Sequence, residues 1–159
     1  MQNDLFERGN RSPVPTVSVI QPYAELIFAG HKERLFHSRA IPLGRLAIYA
    51  PNFYLARIRI EFQHKPHFRD LVGCEIEDLD AGVIVGLVDV VARERVPVRS
   101  EQSSFWDVIP DEEIDRTDCI APGMCCATLE NPRRLKIPRA YSLRSELATS
   151  DPNIFESIW

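Results

Sequence analysis

Residues 21–32 read Gln21-Pro22-Tyr23-Ala24-Glu25-Leu26-Ile27-Phe28-Ala29-Gly30-His31-Lys32. A short β-type run leads into them, and Thr16–Ile20 is predicted as the first strand. Pro22 stands at the first turn of a helix, where its missing N–H has no intrahelical carbonyl to meet. Tyr23, Leu26 and Ile27 are three and four residues apart and so share one face. Gly30 supplies the left-handed residue that ends a short helix. A helix is therefore predicted over Pro22–Ala29, with Lys32 just past its end. A lysine placed by a strand, a capped helix and a glycine has a defined position that a lysine on a free loop lacks.

The rest of the chain alternates short strands with turns. Glu33–Arg39 is predicted as the second strand, and Pro42 and Gly44 mark the turn before a third, Arg45–Ala50. Asn52–His64 fits both periods: Arg57, Arg59 and Glu61 alternate with Ile58, Ile60 and Phe62, while Leu55, Ile58 and Phe62 fall at helical spacing. Asn52 as a cap and Pro66 as a stop favour the helix. Leu71–Leu79 is expected to be an acidic connection. Ala81–Val96 is the strongest strand, with Gly82 and Gly86 allowing a bend or a close backbone approach. Ser100–Asp118 is polar and acidic, a loop with a short helix anchored by Phe105 and Trp106. Strands follow at Met124–Glu130 and Arg133–Ile137, then helical stretches around Leu143–Leu147 and Ile154–Trp159. Residues 1–13 are expected to be a flexible lead and 14–159 a single domain. Strands with few helices and no regular strand–helix alternation give an α+β, mainly β class: a small barrel with flanking helices.

The 159 residues are 45% hydrophobic and 26% charged, ordinary values for a globular protein. No apolar run approaches the ~20 residues that span a bilayer, and residues 1–12 lack a signal core, so a cytoplasmic protein is expected. Cys74, Cys119, Cys125 and Cys126 lack zinc-ligand spacing, and the neighbouring pair on a strand would face opposite ways. They read as reduced cysteines, with no metal and no cofactor expected. His64 and His67 have Pro66 between them and no nearby cysteine or carboxylate pair, so they are not read as metal ligands. The net charge of −4 hides a pattern: residues 31–69 carry +6, residues 70–118 carry −10 and residues 119–144 carry +4. The net sign argues against general coating of nucleic acid. Two basic blocks brought to one cleft would still make a local positive groove.

Four motifs in order resemble the ASCH family of the PUA-like superfamily. They are Gln21-Pro22-Tyr23 with Gly30-His31-Lys32, then Gly44–Ala50, then Gly82–Val88, then Leu129–Leu135 with its Asn131-Pro132-Arg133. The resemblance covers roughly residues 16–138 and implies an ASCH-type PUA-like β-barrel. The family pattern continues after Gly-x-Lys as Thr-x-Glu-x-Arg, whereas this chain has Glu33, Leu35 and His37. One enzymatic branch deacetylates acetylated cytidine with a lysine, a distant glutamate and a threonine where Leu35 stands. Leucine has no hydroxyl to attack a carbonyl.

Lys32 is the leading candidate, either as a phosphate contact or as an acid–base group. His37 could replace the family's arginine and act as a base, although a lone histidine more often has a structural role. An RNA or nucleotide binding site is expected from Lys32, Arg34, Ser38, Arg39 and Arg45, the Asn131, Arg133 and Arg134 turn, and Tyr23 as a stacking platform. Tyr23 also fits core packing through its register with Leu26 and Ile27. Glu25 and Glu33 could brace Lys32 or serve as acid–base groups. The first functional expectation is an RNA or nucleotide binding module with a basic cleft between the Gly-x-Lys and Asn-Pro-Arg motifs. The second is a hydrolase, ribonuclease or amidohydrolase, using Lys32 with His37 or a carboxylate. The third is an adaptor that docks a protein partner through acidic residues 70–118. The oligomeric state is left open.

Overall fold

A computed structural model describes residues 14–52, 60, 62, 67–75, 78–97, 121–140 and 149–150, with the side chains of 138–140 and 149–150 not described. In chain order the elements are β1 (Val14–Ser18), α1 (Tyr23–Phe28), β2 (Arg34–His37), β3 (Gly44–Ala50), α2 (Phe68–Val72), β4 (Val83–Arg95), β5 (Cys125–Ala140) and β6 (Thr149–Ser150). The sheet order is β2-β5-β4-β3-β1-β6. β1 and β3 are parallel neighbours, so the chain between them must cross over. It does so through α1 and then β2, which travels to the far edge and pairs antiparallel with β5. Among the described residues the class is mainly β with short helices, two of which have described bounds, as the sequence implies.

Alternation along the strands gives the sheet two apolar faces. Val17, Leu46, Ile48, Val85, Val88 and Leu129 join Leu26 and Ile27 of α1 and Phe68 of α2 in the main core. Their neighbours in sequence, Ala47, Tyr49, Ile84 and Leu87, form a smaller cluster with Val14 and Leu135. Each fully buried large side chain contributes about 1.5–3 kcal/mol relative to exposure. Tyr23 meets Phe68 edge to face at 5.7 Å between ring centroids, which ties α1 to α2.

The long β4–β5 pair shifts register three times. At one shift Asp89 opposes Glu130 and Leu87 opposes Arg133, so Asn131 and Pro132 together face the single residue Val88. This is a bulge, which bends and twists the strand. It explains why β5 runs through Asn131-Pro132 where the sequence suggested two separate strands. Asn131 takes a positive φ of 53°, a conformation asparagine tolerates better than most residues. Pro132 sits at the bulge, where a missing N–H can be accommodated. At Gly86 the expected close approach is present: an added Cβ would lie 2.7 Å from the Phe28 ring and 2.9 Å from Arg134 Cα.

Other boundaries moved. β1 occupies Val14–Ser18, two residues earlier than predicted. α2, over Phe68–Val72, is an unexpected helix whose last turn enters the segment read as an acidic connection. Phe68, Leu71 and Val72 have the i, i+3, i+4 spacing of a helix face, and Gly73 closes it with φ of 75°. Most of the helix expected over 52–64, the 100–118 loop with Phe105 and Trp106, Cys119, the lead 1–13 and the tail helices lie outside the described residues. None of the described helices is long and apolar enough to cross a membrane.

Candidate functional site

The site is built on the end of α1. Gly30 has φ of 83°. Its N–H donates to the Ile27 carbonyl at 3.2 Å, and the His31 N–H donates to the Leu26 carbonyl at 2.8 Å. These are the paired bonds of a Schellman cap. The Lys32 N–H reaches the same Leu26 oxygen at 3.1 Å, so the backbone of Lys32 is bonded back to the helix. Its side chain turns inward: the residue is 6% exposed, and Nζ lies 5.7 Å from the Tyr23 ring centroid. A desolvated ammonium over a ring face is a cation–π arrangement.

Three buried or half-buried polar groups hold the rest of α1. Pro22 provides no side-chain cap. Gln21 takes that role, its Oε1 accepting the Glu25 N–H at 3.1 Å while its Nε2 donates to the Asp80 carbonyl at 2.8 Å. Glu25, 5% exposed, forms a two-point ion pair with Arg134 of β5, with Nη1 to Oε1 at 3.0 Å and Nη2 to Oε2 as the second contact. The hydrogen bond to Glu25 raises the Arg134 pKa against the opposing effect of burial. The Arg134 guanidinium also lies 5.5 Å over the Phe28 ring.

A cleft of about 360 Å³ opens beside this assembly, lined by Ile27, Gly30, Lys32, Glu33, Val88, Leu129, Glu130, Asn131 and Pro132. Gly-x-Lys and Asn-Pro therefore meet in one place, although far apart in sequence. The Leu129 N–H donates to the Glu33 carbonyl at 2.7 Å, which fastens the two walls. The bulge opposite Val88 turns Asn131 and Pro132 into the rim.

Other candidates stand elsewhere. Arg133 donates to Asp89 at 2.7 Å, and Asn131 reaches the other oxygen of that carboxylate at 3.1 Å. Because adjacent strand residues face opposite ways, Arg133 and Arg134 diverge, the first toward Asp89 and the second toward Glu25. Neither is among the described residues that line the cleft. Arg45 is exposed at the start of β3, opposite Asp89. Arg34 is half-buried at the start of β2 and pairs with Thr128. His37 lies three residues along, about 10 Å away, opposite Cys125. Its Nδ1 accepts the Arg39 N–H at 2.9 Å, which shapes the exposed turn carrying Ser38 and Arg39. His37 is thus not among the residues lining the Lys32 cleft. Tyr23 is 1% exposed and packs on Phe68. It supports Lys32 from below and offers no open face for a base, a correction to the stacking role. Leu35 is a core residue at 6% exposure. The cleft is also less basic than expected: among the described lining residues Lys32 is the one cation, with Glu33 and Glu130 beside it.

The Gln21 bridge and the Glu25–Arg134 pair have no signal in the sequence, because both depend on long-range packing. Cys126 is buried, and burial, followed by the nearby Glu94, pushes its thiol up to about 11. Burial and then Glu25 likewise raise the Cys74 thiol. Among the described residues no three His, Cys, Asp or Glu side chains gather in a way that could hold a metal ion.

No family model and no curated protein matches this sequence. Solved structures do. A crystal structure of ASCH from Zymomonas mobilis superposes with a TM-score of 0.56 at 12% identity, covering 91% of this chain and 92% of that one. A mutant form of the Zymomonas mobilis protein gives a TM-score of 0.48 at 15% identity over 80% of this chain and 75% of that one. With its curled sheet, its crossover through α1 and this near-complete superposition, the chain has the ASCH-domain fold.

Proposed function

We propose that this chain is an RNA or nucleotide binding module and that its ligand enters the cleft at Lys32. The observation that carries this reading is a lysine 6% exposed, tied back to a helix cap, in the wall of a cleft shared with Asn131. A partly desolvated ammonium gains more from a phosphate oxygen than a solvated surface lysine does. Ile27, Val88 and Leu129 offer an apolar floor for a base, and the Asn131 amide offers both a donor and an acceptor at the rim. The volume falls in the range of small-ligand sites. Two observations favour binding over hydrolysis: His37, the base expected beside Lys32, is not among the described residues lining the cleft, and buried Leu35 stands where the deacetylating branch has its threonine hydroxyl.

Backbone amide resonances followed by NMR during titration with adenosine monophosphate, and then with a short single-stranded RNA, test this reading. The expected shifts cluster at Gly30, Lys32, Glu33, Leu129 and Asn131. Shifts confined to β1 and β3, or no shifts with either ligand, would overturn it.

A further inference from the structure

We infer that the cleft selects a nucleotide unit of low charge, such as the single phosphodiester of an RNA strand, and rejects nucleoside di- and triphosphates. This rests on the binding reading above and narrows its ligand class. Two observations support it. Lys32 is the one cation among the described lining residues, and it shares the cleft with two carboxylates, Glu33 and Glu130. The two arginines that the Asn-Pro-Arg motif would bring to a phosphate are committed elsewhere, Arg133 to Asp89 at 2.7 Å and Arg134 to buried Glu25.

The charge balance then sets the preference. One negative charge can meet Lys32 at short range and gain a charge-assisted hydrogen bond. Each further negative charge finds no second cation among the described lining residues and is repelled by two carboxylates. At ~7 Å in a water-like medium one such net repulsion weakens binding about threefold per added charge. A site built for triphosphates shows the reverse, with several donors converging on the chain of phosphates. Asn131 and the apolar floor recognise base or ribose and are indifferent to phosphate number.

Metal-free calorimetric titrations with adenylyl-adenosine, AMP, ADP and ATP test the inference on the intact chain. The expected order of affinity is the dinucleotide first and ATP last, falling about threefold per charge. In the E33Q/E130Q double variant, which leaves Lys32 as the cation of the described lining, the fall should be abolished or reversed. A wild-type series that is flat or rises toward ATP overturns the inference and leaves the binding reading in place, and so does a variant series identical to the wild type. No binding by any member overturns the binding reading itself. The wild-type protein alone supplies a second measure should the variant not fold. The affinity for a short single-stranded RNA should fall with salt at a logarithmic slope of about −0.7, the value for one phosphate contact. A slope steeper than about −2, for three or more contacts, overturns the inference.

Discussion

At the scale of single residues, Lys32 is defined by what surrounds it. Gly30 turns the chain, Leu26 accepts the Lys32 N–H, and the Tyr23 ring lies under the ammonium. Gly30 and Lys32 were legible in sequence because helix stops follow local rules. The inward turn of the lysine was not, since it depends on Tyr23 being pinned by the distant Phe68. His37 shows the converse: its neighbourhood in sequence placed it near Lys32, but an extended strand separates residues by about 3.3 Å each and carries it away. Cys126 allows a test at this scale. Its thiol stands near 11 in the folded protein against an ordinary 9.0, with burial the main cause. The unfolded chain therefore loses this proton first as pH rises. The stabilising contribution is complete below pH 9 and is lost as pH climbs from about 9 to about 11. Urea unfolding at several pH values should show that decline, reduced in Cys126→Ala. In the native protein at about pH 8 Cys126 should resist alkylation and become reactive in denaturant.

At the scale of elements, α1 is short and holds its place through long-range bonds. Six residues are too few to be helical alone. The Gln21 bridge to Asp80, the Glu25 pair with Arg134 and the Gly30 cap fix its two ends and one flank. Gly30→Ala forces a side chain into φ of 83° and should cost about 1 kcal/mol in chemical denaturation. Arg134→Gln leaves Glu25 buried without its guanidinium. The arginine side chain is 43% exposed, so the cost is set at about 2 kcal/mol, below that of a fully buried pair. Gly86→Ala should be harsher, about 3 kcal/mol or more, because backbone and the Phe28 ring occupy the space. The strands at β3 and β4 were legible from their β-branched runs. The bulge that makes β5 continuous was hidden behind Asn131-Pro132, normally a turn signal. α2 was harder to see: Phe68, Leu71, Val72 and Gly73 carry a helix face and stop, but they fill little more than one turn beside a run of acidic residues.

At the scale of the whole molecule, the charge blocks of the sequence do not gather into one basic groove among the described residues. Arg133 and Arg134 come from the same basic block yet diverge to opposite partners, since neighbouring strand residues face opposite ways. What the fold does bring together is Gly-x-Lys and Asn-Pro, through the pairing of β2 with β5 and the bond from Leu129 to Glu33. Motif order in the sequence announced the fold. The charge balance of the cleft required the register of β4 against β5. The central claim is that Lys32 binds the ligand. It is tested most directly by fluorescence anisotropy of a short single-stranded RNA with wild type and Lys32→Met at one salt concentration, with melting temperatures measured alongside. Methionine keeps the length and apolar stem while removing the charge. Affinity is expected to fall about tenfold or more, the worth of a hydrogen bond to a charged group, with both proteins folded. Equal affinities from two folded proteins would contradict the claim.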